Sequence, residues 1–285
     1  VQGVGYPDPN LSHFRSIEIW DTASRSDQYL SEGWLARAFA AEPPSAGFAA
    51  DGVVLGGNDM GPLAGTGARA IALAEPERFL RQARLANPAG ARRNAALAHI
   101  LKVEADIVRA ASHLGAATQF RTAFPQGPFG HAVRTAAQLA ANEAGVAALR
   151  LSLGGFDTHQ AQAGIHARLL GELAEGISAL RAALVEIGRW DSTLLMTYSE
   201  FGRRPQENAS LGTDHGAASA HFVCGGRVRG GLYGEAPRLD ALEGGNLRHA
   251  VDFRSLYATA LERWWGVRSD RVLGGRFRPL ELLRV

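Results

Sequence analysis

The sequence predicts an α/β fold on a mainly parallel sheet, and three observations carry that expectation. Two apolar or β-capable runs, Leu149 to Leu153 and Leu194 to Tyr198, stop abruptly at glycine, acid and histidine, as buried parallel strands do when their carboxyl ends open into a crevice. A helical stretch from about residue 161 to 188 separates them, which makes a strand, helix, strand unit. A chain of 285 residues, 46% of them hydrophobic, can bury one large core, so a single domain over residues 1–285 is expected.

Charge and composition narrow the function classes. The formal net charge is only +2, and no common nucleic-acid motif occurs, so no nucleic-acid partner is expected. Lys102 is the only lysine, and the arginines that replace lysine elsewhere suit bidentate anion recognition. Cys224 is the only cysteine, which excludes an internal disulfide and thiolate metal clusters. No apolar run is long enough to span a bilayer, and no charged-then-apolar signal stands at the front.

In chain order, Val1 to Gly5 reads as the end of a strand entering a turn at Tyr6 to Asn10. A parallel sheet seldom starts on a fragment, so an earlier segment is expected, holding a first strand and any export signal. Ser12 stands at the start of a helix running through Trp20. Its hydroxyl can cap that helix, or serve as a nucleophile whose developing charge the helix dipole and free amides stabilise. His13 is a candidate activating or anchoring partner for it.

A short helix from Gly33 to Phe39 precedes a break at Pro43 to Gly47. Strands follow near Gly52 and over Thr66 to Leu73, with Gly56 to Asp59 read as a turn. Residues 76–120 read as helical, with His99 and His113 as packing or surface residues. Phe124 to Gly130 reads as a loop and His131 to Ala148 as a helix. Near the carboxyl end, His221 to Gly226 reads as a strand and Arg227 to Gly234 as a hairpin-like continuation. A helix from Phe253 to Trp265 is expected to begin at an Asp252 and Arg254 ion pair or cap, and Trp264 and Trp265 to bring it onto the core.

The chemistry gathers at the two strand ends. Gly154 and Gly155 let the backbone turn and leave room for a ligand just before Asp157, Thr158 and His159. Glu200 follows the second strand, and a polar loop then returns Asp214 and His215. Each residue alone has a structural explanation: Asp157 or Thr158 as a cap of the next helix, Glu200 as a partner of Arg203 or Arg204 near a helix start. Together, Asp157, His159, Glu200, Asp214 and His215 offer oxygen and imidazole nitrogen to a divalent metal, zinc first, with manganese, calcium or magnesium as alternatives. A metal there lowers the pKa of a water or hydroxyl and polarises an oxyanion, and Arg203 or Arg204 can hold phosphate or sulfate. The implied reaction is hydrolysis of a small anionic ester. A non-catalytic binding or assembly protein, and an enzyme using these groups without metal, are the alternatives.

Five motifs carry a family resemblance. They are Ser12-His-Phe after Pro7-Asp-Pro-Asn10, Gly154-Gly-Phe-Asp-Thr-His159, Ser199-Glu-Phe-Gly-Arg203, Gly212-Thr-Asp-His-Gly216, and Asp252-Phe-Arg254 with Tyr257. In this order, over nearly the whole chain, the sequence resembles the bacterial family DUF1501, a domain of unknown function whose members resemble the alkaline phosphatase and sulfatase superfamily. The resemblance implies a three-layer α/β/α fold around a mostly parallel sheet, with metal ligands at the carboxyl ends of strands and a nucleophilic Ser or Thr near the first helix.

On that resemblance Ser12 takes the nucleophile position, with His13 and Arg203 as catalytic partners. Asp157 and His159 stand for one Asp/His ligand pair, more narrowly spaced than in the superfamily. Glu200 stands where the superfamily commonly has an Asp followed by His, and Phe201 replaces that His. His215 is then the later histidine ligand, with Asp214 beside it. Phe201, the narrow spacing and the expected missing segment favour the non-catalytic alternative. The family's frequent twin-arginine export signal implies a periplasmic or extracytoplasmic location.

Overall fold

The computed structural model describes residues 1–45, 47, 48, 50–73, 118–142 and 145–284. Apart from residues 118–120, the helical stretch expected over residues 76–120, with His99 and His113, lies outside them. Among the described residues the strands are β1 (Val4–Gly5), β2 (Ala50–Leu55), β3 (Ala70–Leu73), β4 (Val146–Leu151), β5 (Leu195–Met196), β6 (Gly202–Glu207), β7 (Thr213–Gly216), β8 (Ala218–Ser219), β9 (Val223–Cys224) and β10 (Val251–Asp252). The α-helices are α1 (His13–Thr22), α2 (Trp34–Ala41), α3 (Gly127–Ala141), α4 (Gln162–Glu186), α5 (Phe253–Ala258) and α6 (Ser269–Leu273). The architecture is mixed α/β, with several sheets and both parallel and antiparallel pairs.

Strand β2 is the centre of one sheet. It pairs in parallel with β3 on one side and β4 on the other, and all six of its residues are buried. A strand enclosed in this way needs a near-continuous apolar run, which Val53, Val54 and Leu55 supply. On one face Val53, Leu55, Ile71 and Leu73 pack against Ala132, Ala136 and Leu139 of α3. On the other, Val54, Ala70, Ala72 and Ala148 meet Phe39 of α2, Leu63 and Trp265. The exception within β2 is Asp51, whose buried carboxylate is satisfied by Arg69 through Nη2 at 2.6 Å, Nε at 3.2 Å and the main-chain N–H at 2.8 Å.

A second sheet places β1 between β10, which is parallel to it, and β8, which is antiparallel. Its core is aromatic. Phe253 stacks on Trp20 with centroids 4.3 Å apart and meets Tyr6 and Tyr257 edge-on at 5.7 and 5.3 Å. Each such pair contributes about 1 kcal/mol beyond its buried area. Asp252 caps α5 by accepting the Arg254 N–H at 3.0 Å, and the Arg254 guanidinium binds both carboxylate oxygens, at 2.6 and 2.8 Å, as the sequence leads one to expect. The helix then widens into a π-helical turn over Thr259–Trp264, which delivers Trp265 between the two cores.

Several expectations need correction. The strand, helix, strand unit is not closed by a ladder: β4 pairs with β2, whereas β5 pairs antiparallel with β9. Arg150 of β4 and Tyr198 beyond β5 meet instead through side chains, Nε donating to the phenol oxygen at 2.9 Å. Helix α3 begins inside the expected loop, at Gly127, because Pro128 fits a first helical turn, and it ends at Ala141 because Ala147 and Ala148 are needed in β4. No helix starts near Glu200. The chain enters a β6–β7 hairpin there, so the polar loop is two paired strands. Arg227 to Gly234 is not a hairpin; Val228 bridges to Leu283. No described helix is long and apolar enough to cross a membrane.

Candidate functional site

Three segments converge on Asp157. The first turn of α1 supplies His13, the stretch after β4 supplies Asp157 and His159, and hairpin β6–β7 supplies His215. Asp157 Oδ2 lies 3.2 Å from His13 Nε2. Asp157 Oδ1 lies 2.8 Å from His159 Nε2 and 2.8 Å from His215 Nε2, and those two nitrogens are 3.2 Å apart. One donor atom from each of His13, Asp157 and His215 falls within 4.8 Å of the others, a spacing that a single ion can bridge.

Two of the imidazoles are held from behind by hydrogen bonds through their other nitrogens, and the third has an acid nearby. His13 Nδ1 lies 3.0 Å from Glu200 Oε1, His215 Nδ1 lies 2.8 Å from the Leu11 carbonyl oxygen, and His159 Nδ1 lies 3.5 Å from Asp214 Oδ1. A carbonyl oxygen only accepts, so His215 Nδ1 carries a proton, and the neutral ring then presents a lone pair at Nε2. That lone pair faces a carboxylate oxygen at 2.8 Å. The pairing is repulsive unless Nε2 is also protonated or a cation lies between the two atoms. Anchoring at Nδ1 with Nε2 directed inward is how metal-binding histidines are commonly oriented.

The electrostatics follow the geometry. Partial burial would raise the Asp157 carboxyl, but the contacts with His215 and His13, which are hydrogen bonds when their Nε2 atoms carry protons, outweigh it and hold the group at about 2. The hydrogen bond to Glu200 raises the His13 imidazole against a smaller opposing effect of burial. Phe201 forms one wall, stacked on His215 at 4.3 Å and edge-on to His13 at 5.0 Å.

Local chemistry fixes these positions. Asn10 Oδ1 accepts the Ser12 N–H at 2.9 Å, Tyr6 OH accepts the Asn10 N–H at 3.1 Å, and Ser16 donates to the Glu200 carbonyl at 2.5 Å, so the start of α1 is tied to the segment carrying Glu200. In the hairpin, Arg203 pairs with His215 and Gly202 with Gly216. A Cβ at Gly202 would overlap the Ala218 carbonyl oxygen, which is why glycine stands there. Helix α4 is capped by neither Asp157 nor Thr158. Its first N–H groups, on Ala161 and Gln162, donate to the carbonyls of Ser210 and Leu211 at the hairpin tip, at 3.0 and 2.8 Å.

The structure therefore brings together five expected residues, Asp157, His159, His215, Glu200 and Asp214, but not all of them face one another. Glu200 and Asp214 sit behind histidines. His13, read from sequence as a partner of Ser12, faces Asp157 directly. Ser12 is the N-cap residue of α1 by backbone position, but its hydroxyl makes no cap hydrogen bond and the residue is exposed. Arg203 does not stand free for an anion: Nη1 donates to the Thr213 carbonyl at 2.5 Å, and Nη2 donates to the Phe156 carbonyl and lies 3.4 Å from Asp157 Oδ1. Glu200 forms no ion pair with Arg203 or Arg204 among the described residues; it meets His13 instead. Asp59 fulfils its turn reading, accepting the Gly61 N–H at 3.1 Å and pairing with Arg150 at 2.9 Å. The Leu11 carbonyl leaves no sequence signal of a role because it is main chain, and Phe201, marked in the sequence only as standing in place of a histidine, gives no sign there that it walls the cluster.

No curated protein and no solved structure matches the chain. One family model, described as "Protein of unknown function (DUF1501)", matches residues 2–274, a span that includes every residue of the cluster. By that match over nearly its whole length, the chain belongs to the DUF1501 family.

Proposed function

We propose that this protein is a metal-dependent hydrolase of small phosphate or sulfate esters, with one divalent ion held by His13, Asp157 and His215 and with His159, whose Nε2 lies 3.2 Å from that of His215, as an added ligand that must close on the ion. The observation that carries the reading is the His215 ring, whose Nδ1 proton is committed to Leu11 while its Nε2 faces Asp157 Oδ1 at 2.8 Å. Three imidazole nitrogens and one carboxylate favour zinc over calcium or magnesium, which prefer all-oxygen shells; manganese is the alternative. When bound, such an ion supplies a lowered pKa for a water or hydroxyl and polarises an ester oxygen.

The chain's own groups divide the remaining work. Glu200, Asp214 and the Leu11 carbonyl orient the three imidazoles. Arg203 fixes the Asp157 segment through the Phe156 carbonyl and is a positioning group in this reading, not an anion clamp. Ser12, exposed and with a hydroxyl that makes no hydrogen bond among the described residues, stands next to His13 at the amino end of a ten-residue helix, where developing negative charge is stabilised. It is the nucleophile candidate. A divalent ion facing one carboxylate keeps net positive charge, which suits an anionic ester. The α3 and α2 cover on opposite faces of the β3-β2-β4 sheet supports the three-layer reading of the fold, and the periplasmic location implied by the family belongs to the same proposal.

A second reading, a binding protein that keeps the ion without turnover, is favoured by the commitment of Arg203 to main-chain carbonyls. The test is a screen of aryl phosphate and aryl sulfate esters with zinc-loaded and manganese-loaded protein. Turnover that disappears in Ser12→Ala while metal content stays unchanged supports the hydrolase. Metal-loaded protein with no turnover on either ester class selects the binding protein.

A further inference from the structure

We infer that Asn208, at the tip of hairpin β6–β7, is a positioning residue for His159. The inference rests on reading the Asp157 cluster as a metal centre, and it adds a group that touches neither the ion nor the reacting atoms.

The carboxamide of Asn208 is used at both ends. Its Oδ1 accepts the main-chain N–H groups of Ser210 at 2.9 Å and Gly212 at 3.1 Å, and the main-chain N–H of Asn208 donates to the Gly212 carbonyl at 2.8 Å. Two main-chain donors on one atom identify that atom as the oxygen, so Nδ2 is the donor end. Nδ2 leaves the loop. It donates to the His159 carbonyl at 3.0 Å and lies 3.4 Å from Asp214 Oδ1, the carboxylate behind the His159 ring. One amide thus reaches both the main chain of His159 and the acid that orients its imidazole.

The rest of the tip reinforces that hold. A Cβ on Gly212 would overlap the His159 carbonyl group, so the loop lies flat on this peptide. Leu211 takes the left-handed conformation, with φ of 59°, and the Ser210 and Leu211 carbonyls receive the first N–H groups of α4. A loop needed only to reverse the chain between β6 and β7 does not require these cross-links. Their effect is to bind the hairpin carrying His215 to the segment carrying His159, so that the two Nε2 atoms stay 3.2 Å apart. Outer groups that orient metal-binding histidines are worth about 10- to 100-fold in metal affinity.

The experiment is a zinc titration by calorimetry of the full chain as wild type, Asn208→Ala, His159→Ala and the double variant, with circular dichroism on each. Asn208→Ala is expected to weaken zinc binding about 10- to 100-fold. In the His159→Ala background the same change is expected to weaken binding clearly less than in the wild type, because much of its effect passes through that ring. Ser210→Ala, which removes an exposed hydroxyl and keeps the main-chain contacts, is expected to match wild type. Should Asn208→Ala fail to fold, Asn208→Ser keeps a short oxygen for the loop N–H groups and loses the reach to His159, and the same weakening is expected of it. Wild-type affinity in folded Asn208→Ala or Asn208→Ser overturns the inference, as does full additivity with His159→Ala. A wild type that takes up no zinc overturns the metal reading itself, an outcome recognisable before any variant is compared.

Discussion

His215 donates its Nδ1 proton to the carbonyl oxygen of Leu11 at 2.8 Å, across 204 residues of sequence. Leu11 lies one residue before the N-cap of α1, so this bond joins the β6–β7 hairpin to the turn that presents His13. It also selects the tautomer that leaves Nε2 facing Asp157. A main-chain oxygen on one side and a carboxylate on the other define what the ring can do.

Asp157 is the residue on which all three histidines meet, and Asp157→Asn keeps its shape while removing its charge. The expected result is a fall in zinc affinity of more than about 100-fold, larger than for any orienting residue, with the circular dichroism spectrum unchanged. Calorimetric titration of the variant beside wild type reads it directly. Equal affinity would place the ion elsewhere.

Glu200 lies behind His13, not in front of it. Glu200→Ala removes the acceptor at Nδ1 and is expected to weaken zinc binding about 10- to 100-fold, whereas Glu200→Gln keeps an acceptor and is expected to recover most of the loss. If Glu200 were itself a ligand, the glutamine variant would bind as weakly as the alanine variant. Comparing the two titrations separates these roles.

His221 is buried against Trp20 with its Nε2 2.8 Å from Ser219 Oγ, and burial pushes its imidazole down to about 4. The unfolded chain takes up this proton near 6.5, so His221 contributes full stability above that value and loses it as pH falls from about 6.5 to 4, up to about 3 kcal/mol. Replacement by Gln is expected to flatten that part of the profile. Urea unfolding of wild type and His221→Gln between pH 7 and pH 4.5 measures the difference.

Asp21 works in the opposite direction. Burial raises its carboxyl to about 6 against the opposing effects of Arg150 and the Tyr198 hydrogen bond. Its contribution is present below pH 4 and lost as pH rises through 6, so it partly cancels the His221 slope in wild type. Asp21→Asn keeps an acceptor for Tyr198 OH and is expected to raise stability at pH 8 by about 1–3 kcal/mol, while steepening the loss on acidification. Unfolding curves at pH 8 and pH 5 check both halves of that expectation.

Much of the site could be read from the sequence because its residues lie at the ends of apolar runs. Asp157 and His159 follow Gly154 and Gly155 just past β4, and His215 precedes Gly216 at the end of β7. The position of Glu200 and Asp214 behind histidines could not be read, because it depends on which nitrogen of each ring faces inward. His13 was hidden by its place next to Ser12 on a helix, since its partners are 144 and 187 residues away. The hairpin was missed because Arg203 to Glu207 lacks apolar alternation and includes Pro205; its pairing is fixed by Gly202 and Gly216 against neighbouring main chain. Aliphatic content marked β2, the second half of β3's expected span and the second half of β4, whose first residues read as helix, whereas the pairing of β5 with β9 rests on two residues in each strand.

Elemental analysis of the folded wild-type protein, purified without added metal and expressed per chain, tests the metal centre most directly. The expected result is about one divalent ion per chain, zinc before manganese, absent from Asp157→Ala. A folded protein that carries no metal and takes up neither zinc, manganese nor calcium on titration would contradict it, and His13, Asp157, His159 and His215 would then be a protonated hydrogen-bond cluster.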